Sequence, residues 1–129
     1  KNFLIISLGG MVGLNLKKNA VFDLLHNQLF VHPESRYQYI DTNDVARIIM
    51  DLSKEDNKPE LTNEIVNLCG DGTISPEEIA EYLHIPLQES WKTLRQETYD
   101  ISIDKVKSLV FVPQTKKTVF DFIDWYKEK

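Results

Sequence analysis

The chain has 129 residues, 42% apolar and 27% charged, and its 15 basic and 20 acidic side chains give a formal net charge of −5. This is the make-up of one globular domain, long enough to bury about two-thirds of its unfolded surface, and the acidic balance argues against nucleic acid or an anionic membrane as partner. Cys69 is the only cysteine, which excludes an internal disulfide or a cysteine-built metal site and fits a reducing, cytoplasmic compartment.

Phe3 to Leu8 is a continuous apolar run, the pattern of a fully buried strand, and Gly9, Gly10 and Gly13 predict the turn that ends it. The lysine before this run resembles a signal peptide only superficially, because a strong basic region, a cleavage site and the length to span a membrane are lacking. A first residue that is not methionine and already sits in mid-strand predicts a missing upstream part. Lys17 to Asn27 reads as a helix with Val21, Leu24 and Leu25 on one face. Leu29 to Val31 reads as a short strand, followed by a turn over His32, Pro33, Glu34 and Ser35.

Arg36 to Ile40 alternates in polarity and is rich in β-formers, so it predicts a half-buried strand. A helix follows at once. Asp41 or Thr42 can cap it, Asp44 lies in the first turn where the helix dipole favours an acid, and Val45, Ile48, Ile49 and Leu52 form an apolar stripe. On these residues alone, Arg36 is equally well a surface arginine or a ligand held on a rigid element.

Ser53 to Asn63 is polar, contains Pro59 and predicts an exposed loop, and Glu64 to Leu68 is a second buried strand. The glycines at 70 and 72 break it. Ser75, Pro76 and Glu78 then make a helix start of serine cap, first-position proline and third-position glutamate, with the helix running to about Leu83. Signals from His84 to Tyr99 are weak and predict a loop with one short strand. Asp104 opens a short helix to Lys107, and after Pro113 a cap at Gln114 or Thr115 opens a last helix whose apolar face holds Val119, Phe120, Phe122, Ile123 and Tyr126.

None of the apparent catalytic motifs stands on its own. The stretch from Asn67 to Glu78 can be laid on a calcium loop, but a thiol is a poor ligand for a hard cation and the preceding residues read as strand, so strand–turn–helix is the better reading. The glycines at 9, 10 and 13 lack the spacing of a dinucleotide fingerprint and no acid-ended strand follows at the required distance. His26, His32 and His84 are scattered, without the clustering that metal ligation needs. Ser7, Ser35 and Cys69 lack the local context of an activated nucleophile.

Taken in sequence, FLIISLGGMVG, the KKN that opens a helix, SRYQYIDTNDVARII, NEIVNLCGDGTISPEEIAEYL, YDISIDKVKSL and PQTKKTVFDFIDWYKE resemble the carboxyl-terminal half of the extended short-chain dehydrogenase/reductases, the NAD-dependent epimerase/dehydratase group. The resemblance covers nearly the whole chain. It implies an α/β fold, with residues 1–129 forming the last two strands of a Rossmann-type sheet plus a small mixed substrate-binding lobe. The dinucleotide-binding part would lie upstream, together with the Tyr-x-x-x-Lys pair in which lysine lowers the tyrosine pKa for proton exchange during hydride transfer. This chain contains no such pair, so the segment alone is expected to catalyse nothing and to need no cofactor, whereas the full-length parent would use NAD or NADP.

The resemblance also implies site residues. Leu8, Gly9 and Gly10 stand where the family's chain borders the nicotinamide, although Ser7 replaces a common arginine and Leu14 a common proline. Lys18 and Asn19 stand at the helix start that faces the sugar nucleotide. Arg36 matches an arginine that contacts the substrate diphosphate, an anion its planar fork suits. The implied function is nucleotide-sugar binding for an epimerase, dehydratase or reductase; the alternative is a stand-alone, non-enzymatic binding or assembly module of the same ancestry. Without the upstream half, the strands at Phe3–Ser7 and Glu64–Leu68 would expose apolar surface and an unpaired edge, which predicts self-association.

Overall fold

The computed structural model describes residues 4–14, 18–54 and 63–129. In chain order these form β1 (Leu4–Leu8), β2 (Gly10–Val12), α1 (Ala20–Leu25), β3 (Tyr39–Asp41), α2 (Thr42–Leu52), β4 (Glu64–Leu68), α3 (Pro76–Leu83), a 3-10 turn (Glu89–Thr93), α4 (Asp104–Lys107) and α5 (Thr115–Lys127). β1 pairs in parallel with β4, from Leu4 opposite Glu64 to Leu8 opposite Leu68. β2 pairs in parallel with β3, from Gly10 opposite Tyr39 to Val12 opposite Asp41. The architecture is α/β with parallel strands, as the resemblance implies. Among the described residues, no helix is long and apolar enough to cross a membrane.

Gly9 alone separates β1 from β2, so the expected glycine turn is instead a change of strand partner. Its N–H donates to the Leu68 carbonyl at 3.0 Å, carrying the β1–β4 ladder one step further. A Cβ on this residue would meet the Cys69 Cβ at 2.6 Å, so the close approach of the two strand ends requires glycine.

Two apolar clusters hold the chain together. In one, Val66 and Leu68 of β4 pack with Val45, Ile48 and Leu52 of α2 and Val106 of α4. The other gathers Val21 and Leu24 of α1, Tyr39, Ile79, Trp91, and Val119 and Ile123 of α5. The opposite face of the β1–β4 pair is bare among the described residues: Ile5 and Ile65, directly opposite one another, are 50% and 67% exposed.

Local chemistry sets the helix starts. The Asp41 side chain caps α2 by accepting the Asn43 N–H at 2.8 Å. Ser75 and Glu78 close a reciprocal capping box on α3, with Pro76 in its first turn. Gln114 occupies the cap of α5 without a side-chain bond, and the buried Thr115 hydroxyl instead donates to the Gly72 carbonyl at 2.6 Å and accepts the Tyr39 N–H at 3.2 Å.

Several expected elements are corrected. Leu29–Val31 forms no strand: Leu29 drops into the core, Phe30 turns out, and the next N–H, that of His32, finds the Arg95 carbonyl instead of a ladder. The strand expected over Arg36–Ile40 is regular only from Tyr39, with Arg36 and Tyr37 making isolated bridges to Thr98 and Ile74. In place of a strand between His84 and Tyr99, a 3-10 turn buries Trp91, and Thr98 contributes a single bridge. The first helix is shorter than expected because Asn19 caps it. Phe3, Lys17 and most of the loop expected over Ser53–Asn63 lie outside the described residues.

Candidate functional site

Parallel strands deliver their chain ends to one side, and ligands of open α/β sheets bind outside those carboxyl ends. Gly9 and Cys69 are the residues that follow β1 and β4 there. With Gly10, Tyr37, Tyr99 and Ile101 they line a cavity of about 310 Å³. Gly10 must stay small as well, since a Cβ would stand 2.8 Å from the Gln38 carbonyl oxygen and about 3 Å from the Tyr39 ring.

The far wall is the segment from Glu97 to Ile101, fastened to the residues from Ser35 to Gln38 that lead into β3. The N–H of Arg36 donates to the Glu97 carbonyl and the N–H of Tyr99 to the Arg36 carbonyl, both at 2.9 Å. The Ser35 hydroxyl accepts the Glu97 N–H. Buried Gln38 completes the fastening: its amide nitrogen donates to the Ile101 and Gly70 carbonyls, and its amide oxygen accepts the Ile101 N–H. The Tyr37 and Tyr99 rings stack with centroids 5.9 Å apart.

Three titratable groups lining the cavity are shifted towards their neutral forms. Burial, with a hydrogen bond to Glu97, pushes the Tyr37 phenol well above its ordinary value, and burial does the same for Tyr39. Burial and the nearby Asp100 charge raise the Cys69 thiol to about 11. This thiol is not an activated nucleophile.

Of the residues expected at a site, Gly9 and Gly10 line this cavity, and Arg36 does not, although it precedes the lining residue Tyr37 in the chain. The Arg36 side chain is already partnered: Nε donates to the Thr73 hydroxyl at 2.7 Å, and Nη2 to the Thr73 carbonyl at 3.3 Å and to Glu78 Oε1 at 3.0 Å. Glu78 Oε2 takes Lys116 at 2.7 Å, so one carboxylate holds two cations. Lys18 is exposed, and Asn19 lies elsewhere, in a cavity of about 350 Å³ beside Phe122 and Trp125. Both ends of its amide are engaged, the oxygen accepting the Phe22 N–H at 2.8 Å and the nitrogen donating to the Met11 carbonyl at 3.0 Å. Leu8 is half-exposed and does not line the strand-end cavity.

A larger cavity, about 790 Å³, opens between the first turn of α2 and the aromatic face of α5, at Asn43, Phe111, Phe122 and Trp125. None of the expected site residues lines it. Its carboxylates have partners, with Asp41 capping α2, Asp44 facing Arg47 and Asp121 facing Lys117. Among the described residues no group of three or more His, Cys, Asp or Glu side chains could hold a metal ion. The sequence reading missed Tyr37, Gln38, Tyr99 and Ile101. Aromatic and amide residues alternating at 37–39 were a usable signal, whereas nothing local marked the segment at 97–101.

No protein-family model matches the sequence, and no curated protein matches it. Solved structures do match over nearly all of the chain. UDP-glucuronic acid 4-epimerase from Bacillus cereus, in complex with UDP-glucuronic acid and NAD, is similar with a TM-score of 0.64 and 14% identity over 95% of this chain and 45% of that one. A dTDP-glucose 4,6-dehydratase from Bacillus anthracis, in complex with NAD, reaches 0.66 at 12% identity over 96% and 44%. The Bordetella bronchiseptica enzyme WbmG, in complex with NAD and UDP, reaches 0.62 at 17% identity over 95% and 42%. At such identities the likeness is one of fold: the chain has the fold of part of an NAD-dependent sugar-nucleotide epimerase or dehydratase of the extended short-chain dehydrogenase/reductase type. It spans somewhat less than half the length of these structures.

Proposed function

We propose that this chain is the substrate-binding portion of an NAD(P)-dependent sugar-nucleotide epimerase, dehydratase or reductase of the cytoplasm. It would work with a dinucleotide-binding half that carries the catalytic tyrosine and lysine. The observation that supports the reading is the cavity at the carboxyl ends of β1 and β4, whose lining residue Tyr37 follows Arg36 in the chain. In this reading Arg36 contacts the diphosphate, exchanging its Thr73 and Glu78 partners for phosphate oxygens, and the sugar enters between Gly10 and Tyr99. Hydride transfer requires the sugar and the nicotinamide to touch, which places the nicotinamide against the Leu8–Gly10 edge. Lys18 adds a second cation for the nucleotide, on a loop that Asn19 fixes. The bare Ile5–Ile65 face supports a further covering layer, either the dinucleotide-binding half or a second copy.

One observation favours a second reading, a non-enzymatic binding or assembly module: the Arg36 guanidinium is occupied by its own chain. Calorimetric titration with UDP- and dTDP-sugars, repeated on Arg36→Ala, separates the two. Binding that vanishes in the variant supports the substrate lobe. Absence of binding by the folded chain removes it and leaves the module.

A further inference from the structure

Among the described residues lining the strand-end cavity there is no Lys, Arg or His, and nearly every polar group of its wall is already engaged within the chain. The Tyr37 hydroxyl donates to Glu97 at 2.7 Å. Tyr39 is almost wholly buried. The Gln38 amide is used at both ends on Ile101 and Gly70. What remains along the cavity is two glycine backbones, the tyrosine rings, the hydroxyl of the half-exposed Tyr99, the Ile101 side chain and the Cys69 thiol, a weak hydrogen-bonding group.

We infer that this wall selects sugar nucleotides whose sugar presents a deoxygenated, uncharged edge, such as a 6-deoxyhexose, over those bearing a hydroxymethyl or carboxylate group there. This deepens the proposed function and rests on it. A hydroxyl turned to the Ile101 and aromatic part of this wall gives up a hydrogen bond to water and receives none, and a carboxylate there meets no lining cation to replace its hydration. A methyl group in the same place loses nothing polar and buries carbon against the Tyr99 ring and Ile101. The cavity, about 310 Å³, is at the small end of ligand sites, so one substituent is a large part of what it reads.

The test is calorimetric titration of the full chain with UDP and dTDP, with their glucose and 6-deoxyglucose derivatives, and with UDP-glucuronic acid. The 6-deoxy form is expected to bind about tenfold more tightly than the glucose form, in line with one methylene-sized difference in an apolar pocket, and the glucuronic acid form to bind weakest. Ile101→Asn adds a polar group to the wall while leaving the backbone bonds of residue 101 to Gln38 in place, and it should bring the ratio towards one. Tyr99→Ser, on an exposed side chain, is the second variant should the first fail to fold. Equal or tighter binding of the glucose or glucuronic acid form overturns the inference while leaving the nucleotide-sugar reading intact. So does a ratio unmoved by both variants. Failure of the free nucleotides and of all the sugars to bind overturns that reading and this inference with it.

Discussion

Arg36 reaches Glu78 across 3.0 Å, joining the segment that leads into β3 to the first turn of α3, and Lys116 of α5 holds the other oxygen of the same carboxylate at 2.7 Å. Both partners of the Arg36 pair are about a third exposed, so solvent screens it, and Glu78 keeps Lys116 and its own cap when the arginine is removed. Arg36→Ala should therefore cost no more than about 1 kcal/mol of stability. Urea unfolding measures that cost, and a loss several-fold larger would show that the arginine organises the lobe. Under the proposed function the same variant abolishes nucleotide-sugar binding, so the stability and binding effects should be strongly unequal.

The capping box on α3 gives a second prediction. Ser75→Ala removes the acceptor for the Glu78 N–H, which stands 3.1 Å from the hydroxyl, and leaves the first turn with an unmet donor at a position only 3% exposed. A loss of about 1 kcal/mol is expected, against a few tenths for Ser75→Gly. Urea midpoints of the two variants and the parent, at constant m-value, check the order.

Acid should weaken the fold through Glu78. Burial alone would raise its pKa, but the hydrogen bond from Lys116, the Ser75 N–H and the Lys116 and Arg36 charges outweigh it and hold the carboxyl below its ordinary 4.5. A depressed folded-state pKa contributes stability that is complete above the unfolded value and is lost as pH falls through the folded one. The contribution is therefore full at pH 7 and declines below about 4.5. In Lys116→Met the folded carboxyl moves upwards, so stability measured in urea from pH 7 to 3 should fall less steeply below 4.5 than in the parent.

Cys69 should be slow to alkylate in the folded protein. With its thiol raised to about 11 by burial and the Asp100 charge, and its side chain buried, little thiolate is present or reachable at pH 8. The rate should rise sharply once urea unfolds the chain. The sign for stability is the reverse of that for Glu78, because above pH 9 the unfolded thiol ionises first and the fold weakens. Rapid native-state labelling at pH 8 would contradict the buried placement.

Ile65→Lys tests the bare sheet face. Ile65 is 67% exposed opposite Ile5, on a strand pair whose outer edges have no described partner. Charge on such a surface opposes strand-mediated association. Sedimentation of the parent should show mass increasing with concentration, and the lysine variant should stay monomeric. A parent that remains monomeric at high concentration defeats the prediction.

What the sequence made legible followed from local physics. The SPEE helix start, the cap of α2, which falls to Asp41 of the two candidates, and the strands β1 and β4 each combine residues whose chemistry acts within one turn or one strand, and each lies where expected, but Ile5, Leu8 and Ile65 are exposed where fully buried strands are expected. Leu29–Val31 failed because a strand needs a neighbour, which three apolar residues do not reveal. The wall at 97–101 was invisible because its structure comes from bonds to Ser35, Arg36 and Gln38, some sixty positions earlier. Arg36 stands out in the sequence as a cation on a rigid element, but its engagement with Thr73 and Glu78 depends on a turn that only tertiary structure brings near. Gly9 and Gly10 were read as a cofactor edge, and the structure gives each an independent steric reason to be glycine.

The parallel pairing of Leu4 with Glu64 has a kinetic consequence. Parallel strands cannot be closed by a tight turn, and here about sixty residues must be gathered before the first β1–β4 bond forms. The entropy of that closure is met only after partners have assembled, and chains dominated by such distant contacts fold slowly. The β1–β4 ladder is therefore expected to form after α3, α2 and α5, whose signals are local. The strand ends that frame the Gly9–Cys69 approach are therefore absent until late in folding, and the pocket they border exists only in the completed chain.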